Sequence, residues 1–156
     1  MTSEAPREQV KAVARAELQF LELELGFRPE EREGPRRDVL AYVGEHLTFE
    51  LELDWQEQAA FLLVCLTVDG RRPPGYYVHE GRRVRLLLVE ALTLANAADA
   101  AVVAVVAELR AATRRSGVAA MEAQVRLSAS TLRRSLDELL DARSALFPAK
   151  QTLPPQ

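Results

Sequence analysis

The chain is poor in the residues that build metal, disulfide and cofactor sites. It has one cysteine, Cys65, and two histidines, His46 and His79. A lone cysteine forms no internal bridge, and two distant histidines give no zinc-type ligand spacing. The sequence has no Gly-rich phosphate loop, no nucleophile elbow and no paired-carboxylate motif. An enzyme is therefore not the expected class, and no cofactor is implied. No run approaches the roughly 20 apolar residues of a membrane span. Met1 to Gln9 is polar, with Glu4, Arg7 and Glu8 where a signal peptide would be apolar. A soluble cytoplasmic protein without membrane contact is expected. The net charge of −3 creates no general field for nucleic acid. Lysine is nearly absent: of the 20 Lys+Arg residues, only Lys11 and Lys150 are lysine.

What is present is apolar. The 156 residues are 48% hydrophobic, and a chain of this size buries about 68–70% of its unfolded surface without covalent staples. One domain is expected over residues 1–147, with a disordered tail over 148–156.

The segment from Ser3 to Leu25 is rich in helix formers, and Val10, Val13, Ala14, Phe20 and Leu21 share one side at 100° per residue. Gly26 suits a left-handed helix stop, and Pro29 discourages resumption. The terminal Leu21 to Leu25 also alternates with period two, so residues 20–25 are open to a strand reading. Glu30 to Asp38 reads as a charged loop. Val39 to Val43 reads as a strand, and Gly44-Glu45 as a two-residue type II′ turn. In the next strand Leu47, Phe49, Leu51 and Leu53 face inward, while Thr48, Glu50, Glu52 and Asp54 face out. Ala59 to Val68 is apolar but for Thr67, so it reads as the central strand, covered on both faces. Tyr76 to Val78 and Val84 to Val89 are further strands, with a tight turn at Glu80-Gly81; residues 86–94 are equally compatible with helix. The expected fold is α+β: an N-terminal helix (3–25), an antiparallel four- or five-stranded meander (39–94), and a C-terminal helical hairpin (97–147) with a long second helix.

Ala97 to Arg115, apolar almost all round, belongs between other elements, and Ser116-Gly117 ends it. Beyond it Val118, Val125, Leu132, Leu139 and Leu146 recur every seven residues, giving a helix about 45 Å long at 1.5 Å per residue. Its far end, with Leu136, Leu139, Leu140 and Leu146, extends past the shorter arm of the hairpin. Either the sheet and first helix cover that surface, or a second chain does; a homodimer packed like a coiled coil is the expected arrangement. Leu132, Leu136, Leu139 and Leu146 are then interface residues. So are Tyr76 and Tyr77, which follow Arg71-Arg72-Pro73-Pro74-Gly75, and Trp55 in another loop, because tyrosine, tryptophan and arginine commonly anchor protein interfaces.

Three further groupings carry weaker chemistry. Glu50, Glu52 and Asp54 on one strand and Arg83 and Arg85 on another suit cross-strand ion pairs if the strands are neighbours, or an acidic strip for a basic partner. Glu17 and Glu24, seven apart near the first helix's apolar stripe, are a placement that could suit acid-base work, but surface or edge placement beside a partner arginine is the expected one. Cys65, in the most apolar strand, reads as an inert core thiol.

The run Leu127 to Leu136, with Ser128, Ser130 and Thr131 ahead of Arg133 and Arg134, resembles the turn and recognition helix of bacterial helix-turn-helix proteins. That resemblance implies DNA contacts by Arg133 and Arg134. It departs from the pattern at Arg126, where a turn glycine is expected, and at Glu122, where a small residue lets the helices touch. Gly26-Phe27, Leu51 to Trp55, Asp69-Gly70 and Pro74 to Val78 resemble small immunity-like or accessory α+β proteins of high-GC bacteria. The resemblance spans residues 15–95 and transfers no functional residue. It implies a non-enzymatic module that binds a protein partner, itself or another chain, with helix-turn-helix DNA binding as the alternative.

Overall fold

The computed structural model describes residues 4–96 and 100–149. Helix α1 (Glu4–Leu23) buries Val10, Ala14, Leu18 and Leu21, spaced four, four and three apart along one stripe. Residues 20–23, open to a strand reading, are helical. Gly26, at φ 73°, turns the chain, and the amides of Gly26 and Phe27 return to the carbonyls of Glu22 and Leu21 at 3.0 and 2.9 Å.

Five strands then form one antiparallel sheet: β1 (Arg28–Arg32), β2 (Arg37–Val43), β3 (Leu47–Asp54), β4 (Ala59–Leu66) and, after a long connection, β7 (Arg85–Leu87). Their spatial order is β1-β2-β3-β4-β7, which makes β3 the central strand rather than β4. Strand β1 takes up Glu30 to Arg32 of the expected charged loop, and β2 takes up its last two residues, Arg37 and Asp38. The sequence of β1, Arg-Pro-Glu-Glu-Arg, lacks apolar alternation because it is an edge strand paired on one side only, a place where charge and proline are tolerated and discourage pairing between molecules. Gly44 does not adopt the positive φ of a type II′ turn. It is glycine for want of room: a Cβ there would stand 2.6 Å from the Phe27 ring and 2.7 Å from the Leu47 carbonyl oxygen.

The long connection carries a separate two-stranded ribbon, β5 (Val78–His79) with β6 (Arg82–Arg83). Among the described residues four helices follow: α2 (Leu88–Asn96), α3 (Ala100–Ala112), α4 (Val118–Asp141) and α5 (Arg143–Leu146). The stretch open to either reading is thus strand to Leu87 and helix from Leu88. Glu90 accepts from the Leu87 amide at 3.1 Å, one half of a capping box that fixes the switch point. The expected helix start at residues 97–99 and the tail beyond 149 lie outside the described residues.

Leu40, Tyr42, Leu47, Phe49, Leu51, Leu53, Leu62 and Val64 pack on α1, α2 and α4 in one continuous core. That core absorbs the heptad seam. Leu132, Leu136 and Leu139 of α4 and Leu146 of α5 are all buried within the single chain, covered by α1 and α2, which pack along α4 and α5. The seam is intramolecular, and these leucines are not an exposed interface. The expected continuous helix to Phe147 breaks at Ala142. Helix α3, expected between other elements, is peripheral: it buries Val106 and Leu109 and leaves Val103 exposed. Among the described residues no helix is long and apolar enough to cross a membrane.

Candidate functional site

Alternation along β3 sends Leu47, Phe49, Leu51 and Leu53 into the core, as the sequence implies, yet the opposite face is not solvent. Thr48, Glu50 and Glu52 are buried, because residues 67–84, between β4 and β7, fold back over that face as a strap. The acidic strip is therefore closed to a basic partner.

Arg85 holds the strap down. The register places Thr48 opposite Cys65, and Cys65 opposite Arg85, so β4 separates the two charged strands and the guanidinium must cross it to reach Glu50. It does so as a fork, with Nε at 2.7 Å from Glu50 Oε1 and Nη2 at 3.1 Å from Oε2. The remaining donors point at the strap backbone. Nη2 reaches the Pro73 carbonyl at 2.8 Å, while Nη1 reaches those of Gly75 and Tyr76 at 3.0 and 2.7 Å. All five guanidinium N–H donors are thereby used, on a residue only 4% exposed.

Arg72, from the strap itself, adds a 2.6 Å hydrogen bond to Glu50. Burial opposes the charge on Glu50 most strongly, but the hydrogen bonds from Arg85 and Arg72 outweigh it and hold the carboxyl below its ordinary value. Cys65 lies beneath this network, its thiol pushed up by burial first and by the Glu50 charge second. Further along, the Tyr76 hydroxyl donates to Glu52 at 3.1 Å, and Arg37 pairs with the same carboxylate. Burial and then the Glu52 charge push Tyr76 up to about 12.

Two turns at the strap's ends require left-handed backbone, at Asp69-Gly70 (φ 52° and 71°) and Glu80-Gly81 (φ 51° and 75°). The first closes a bridge between Val68 and Arg71, and the second joins β5 to β6. What this framework displays is apolar and aromatic: Tyr76 is 46% exposed, Tyr77 37% and Val78 58%. The two tyrosine rings meet edge to face at 4.4 Å. The Arg83 guanidinium lies 6.0 Å over Tyr77 and is itself fixed by Glu90 at 2.8 and 3.0 Å.

Of the residues singled out from sequence, Tyr76 and Tyr77 are thus brought together on one platform. Trp55 is not among them. It is buried at the end of β3, where its indole N–H donates to Asp38 at 3.1 Å and Arg7 stands 5.3 Å over the ring. Asp38 also lies 3.6 Å from buried Lys11, whose ammonium sits 2.7 Å from Glu33 and 3.3 Å from Glu8. This charged cluster had no sequence signal, because its members come from α1, β2 and the β1–β2 loop. Glu17 and Glu24 lie outside the apolar stripe: both are partly exposed, beside Arg126 at 3.9 Å and Arg133 at 3.0 Å.

The helix-turn-helix alternative meets a direct obstacle. Helix α4 runs unbroken from Val118 to Asp141, so the segment at Arg126 to Ser128 makes no turn and Leu127 to Leu136 is no separate recognition helix. Arg133 is engaged inside the chain, its Nη2 donating to both Glu24 carboxylate oxygens at 3.0 Å and its guanidinium 5.0 Å over the Phe20 ring; Arg134 beside it is exposed.

No family model matches this sequence, and neither curated proteins nor solved structures provide a match.

Proposed function

We propose that the chain is a non-enzymatic, cytoplasmic protein-interaction module of the immunity-inhibitor or accessory-subunit kind, and that it binds its partner through Tyr76, Tyr77 and Val78. One observation carries this reading: a buried arginine spends three of its hydrogen bonds on the carbonyls of Pro73, Gly75 and Tyr76, immediately beneath the exposed side chains. An interface loses affinity for every side chain and loop it must order, and this strap is ordered beforehand. Exposed tyrosines on a fixed backbone present large contact area at little entropic cost, and arginine beside them is the usual companion at interface hot spots.

The test is capture of the partner from a lysate of the source organism by the full chain, followed by cross-linking and mass spectrometry. Cross-links should concentrate on residues 71–83. The Tyr77→Ala, Val78→Ala variant should bind about 30-fold or more weakly, as for truncation of a hot spot worth 2 kcal/mol or more. Equal capture by the variant, or cross-links confined to the helical face, would contradict the assignment.

A further inference from the structure

Strand β7 pairs with only Leu63 to Cys65 of β4, so among the described residues the first half of β4 has no strand neighbour on that edge. Gln124 of α4 takes up part of the slack. Its side-chain oxygen accepts from the Ala60 amide at 2.7 Å, and its side-chain nitrogen donates to the Ala112 and Arg115 carbonyls at 2.9 and 3.0 Å. This ties the sheet edge to the end of α3. Between that tie and α2 the edge stays open as a groove of about 310 Å³, walled by Phe61, Leu62, Leu88 and Leu109. At about 30 Å³ per water-sized group it holds about ten heavy atoms.

Two polar groups in this apolar wall have no work inside the chain. Ser128 is 7% exposed and lines the groove, yet its hydroxyl makes no hydrogen bond among the described residues. Arg110, at the rim, has a guanidinium with no acidic or hydrogen-bonding partner among them. The neighbouring polar groups are occupied: the Thr113 hydroxyl donates to the Arg110 carbonyl at 2.8 Å, and the Glu90 carboxylate holds Arg83 and the Leu87 amide. Among the described residues the side-chain atom both buried and unpartnered is Thr131 Oγ1, outside this groove; the Ser128 hydroxyl is reached from the groove, where a water or a ligand group can take its hydrogen bond. The acid at the rim is neutralised by Arg83, so the uncompensated charge of the groove is positive.

We infer that this groove is a binding site for a small amphipathic carboxylate, a short alkyl chain ending in an anion. The chain lies along Phe61, Leu62, Leu88 and Leu109, Arg110 receives the carboxylate, and the Ser128 hydroxyl supplies a second donor to the ligand. Such a combination of apolar walls and a few placed polar groups is what small-ligand pockets generally present. The site lies apart from the tyrosine platform and does not depend on what the platform binds.

The experiment uses octanoate with the full chain, read by calorimetry and by methyl NMR shifts, with octylamine and 1-octanol as comparators. Expected is saturable one-to-one binding with shifts at Leu62, Leu88 and Leu109, and octylamine weaker by about tenfold or more. Arg110→Gln, a change at an exposed helix position whose fold is checked by circular dichroism, should weaken octanoate about tenfold and leave octanol unchanged. The inference is overturned by absence of saturation up to about 10 mM, by shifts scattered over several surfaces, by equal affinity for octylamine, or by an Arg110→Gln variant that binds octanoate as the wild type does.

Discussion

Replacing Glu50 by glutamine lowers the stability of the fold by about 3–5 kcal/mol, the cost of stranding one member of a buried ion pair. Arg85 would keep its charge in a site almost closed to water, and the new amide would present N–H groups where two guanidinium donors now point. Arg72, anchored on the same carboxylate, would lose its partner as well. The effect has a pH signature. Because the folded Glu50 carboxyl titrates below its ordinary value, the unfolded chain takes up that proton first as the solution is acidified. The stabilisation from Glu50 is complete above the ordinary carboxylate value and is lost as pH falls through the lowered one. Urea unfolding across that acid range should therefore show a shallower loss of stability in Glu50→Gln than in the wild type. The Glu50→Leu, Arg85→Met double variant should recover part of the loss, since an apolar pair can replace the buried ion pair, but not all of it, because the Pro73, Gly75 and Tyr76 carbonyls lose their donor. Wild-type stability in Glu50→Gln would mean that water reaches the network.

Leu139→Glu should abolish cooperative folding, at a cost of about 4 kcal/mol or more, the range reached when an unpaired charge is forced into a packed core. Leu139 is fully buried within one chain, in the seam that α1 and α2 close over α4. This outcome differs from that of an interface leucine, where the same change leaves a folded chain of altered assembly mass. Circular dichroism with light scattering separates the two: loss of the native signal is expected, and a fully folded variant with a changed mass would contradict the intramolecular seam.

Periodicity carried the inner face of the molecule well. The alternation in β3 and the seven-residue recurrence in α4 each report one buried side, and both sides are buried in the structure. What covers a side is a different matter. The leucine recurrence is the same whether α1 or a second chain lies on it, and only the fold shows that α1 does. The polar residues of β3 illustrate the converse: Thr48, Glu50 and Glu52 alternate as solvent-facing residues do, yet a strap lies over them. Its anchor, Arg85, stands 35 positions from Glu50 on a strand that is not its neighbour, a relation no local pattern encodes. Strand β1 escaped notice because an edge strand needs no apolar alternation. Gly44 misled because its reason is the Phe27 ring, packed against it from another loop, rather than its own backbone angle. The exposure of Tyr76 and Tyr77 was legible because prolines, glycine and arginines precede them. The groove at the β4 edge was invisible, since its walls come from the sheet and three helices.

The central claim is that the tyrosine platform is fixed in advance by Arg85. Amide hydrogen exchange at Val84, whose N–H bonds to the Tyr77 carbonyl at 2.8 Å, tests it most directly. In the wild type this amide should exchange slowly, with protection approaching that of Leu51 and Leu63 in the sheet. In the Glu50→Leu, Arg85→Met variant it should exchange about 100-fold faster while Leu51 and Leu63 keep their protection, because the strap opens locally and the sheet does not. A Val84 amide that already exchanges at the unprotected rate in the wild type, or that is unchanged in the double variant, would contradict the account.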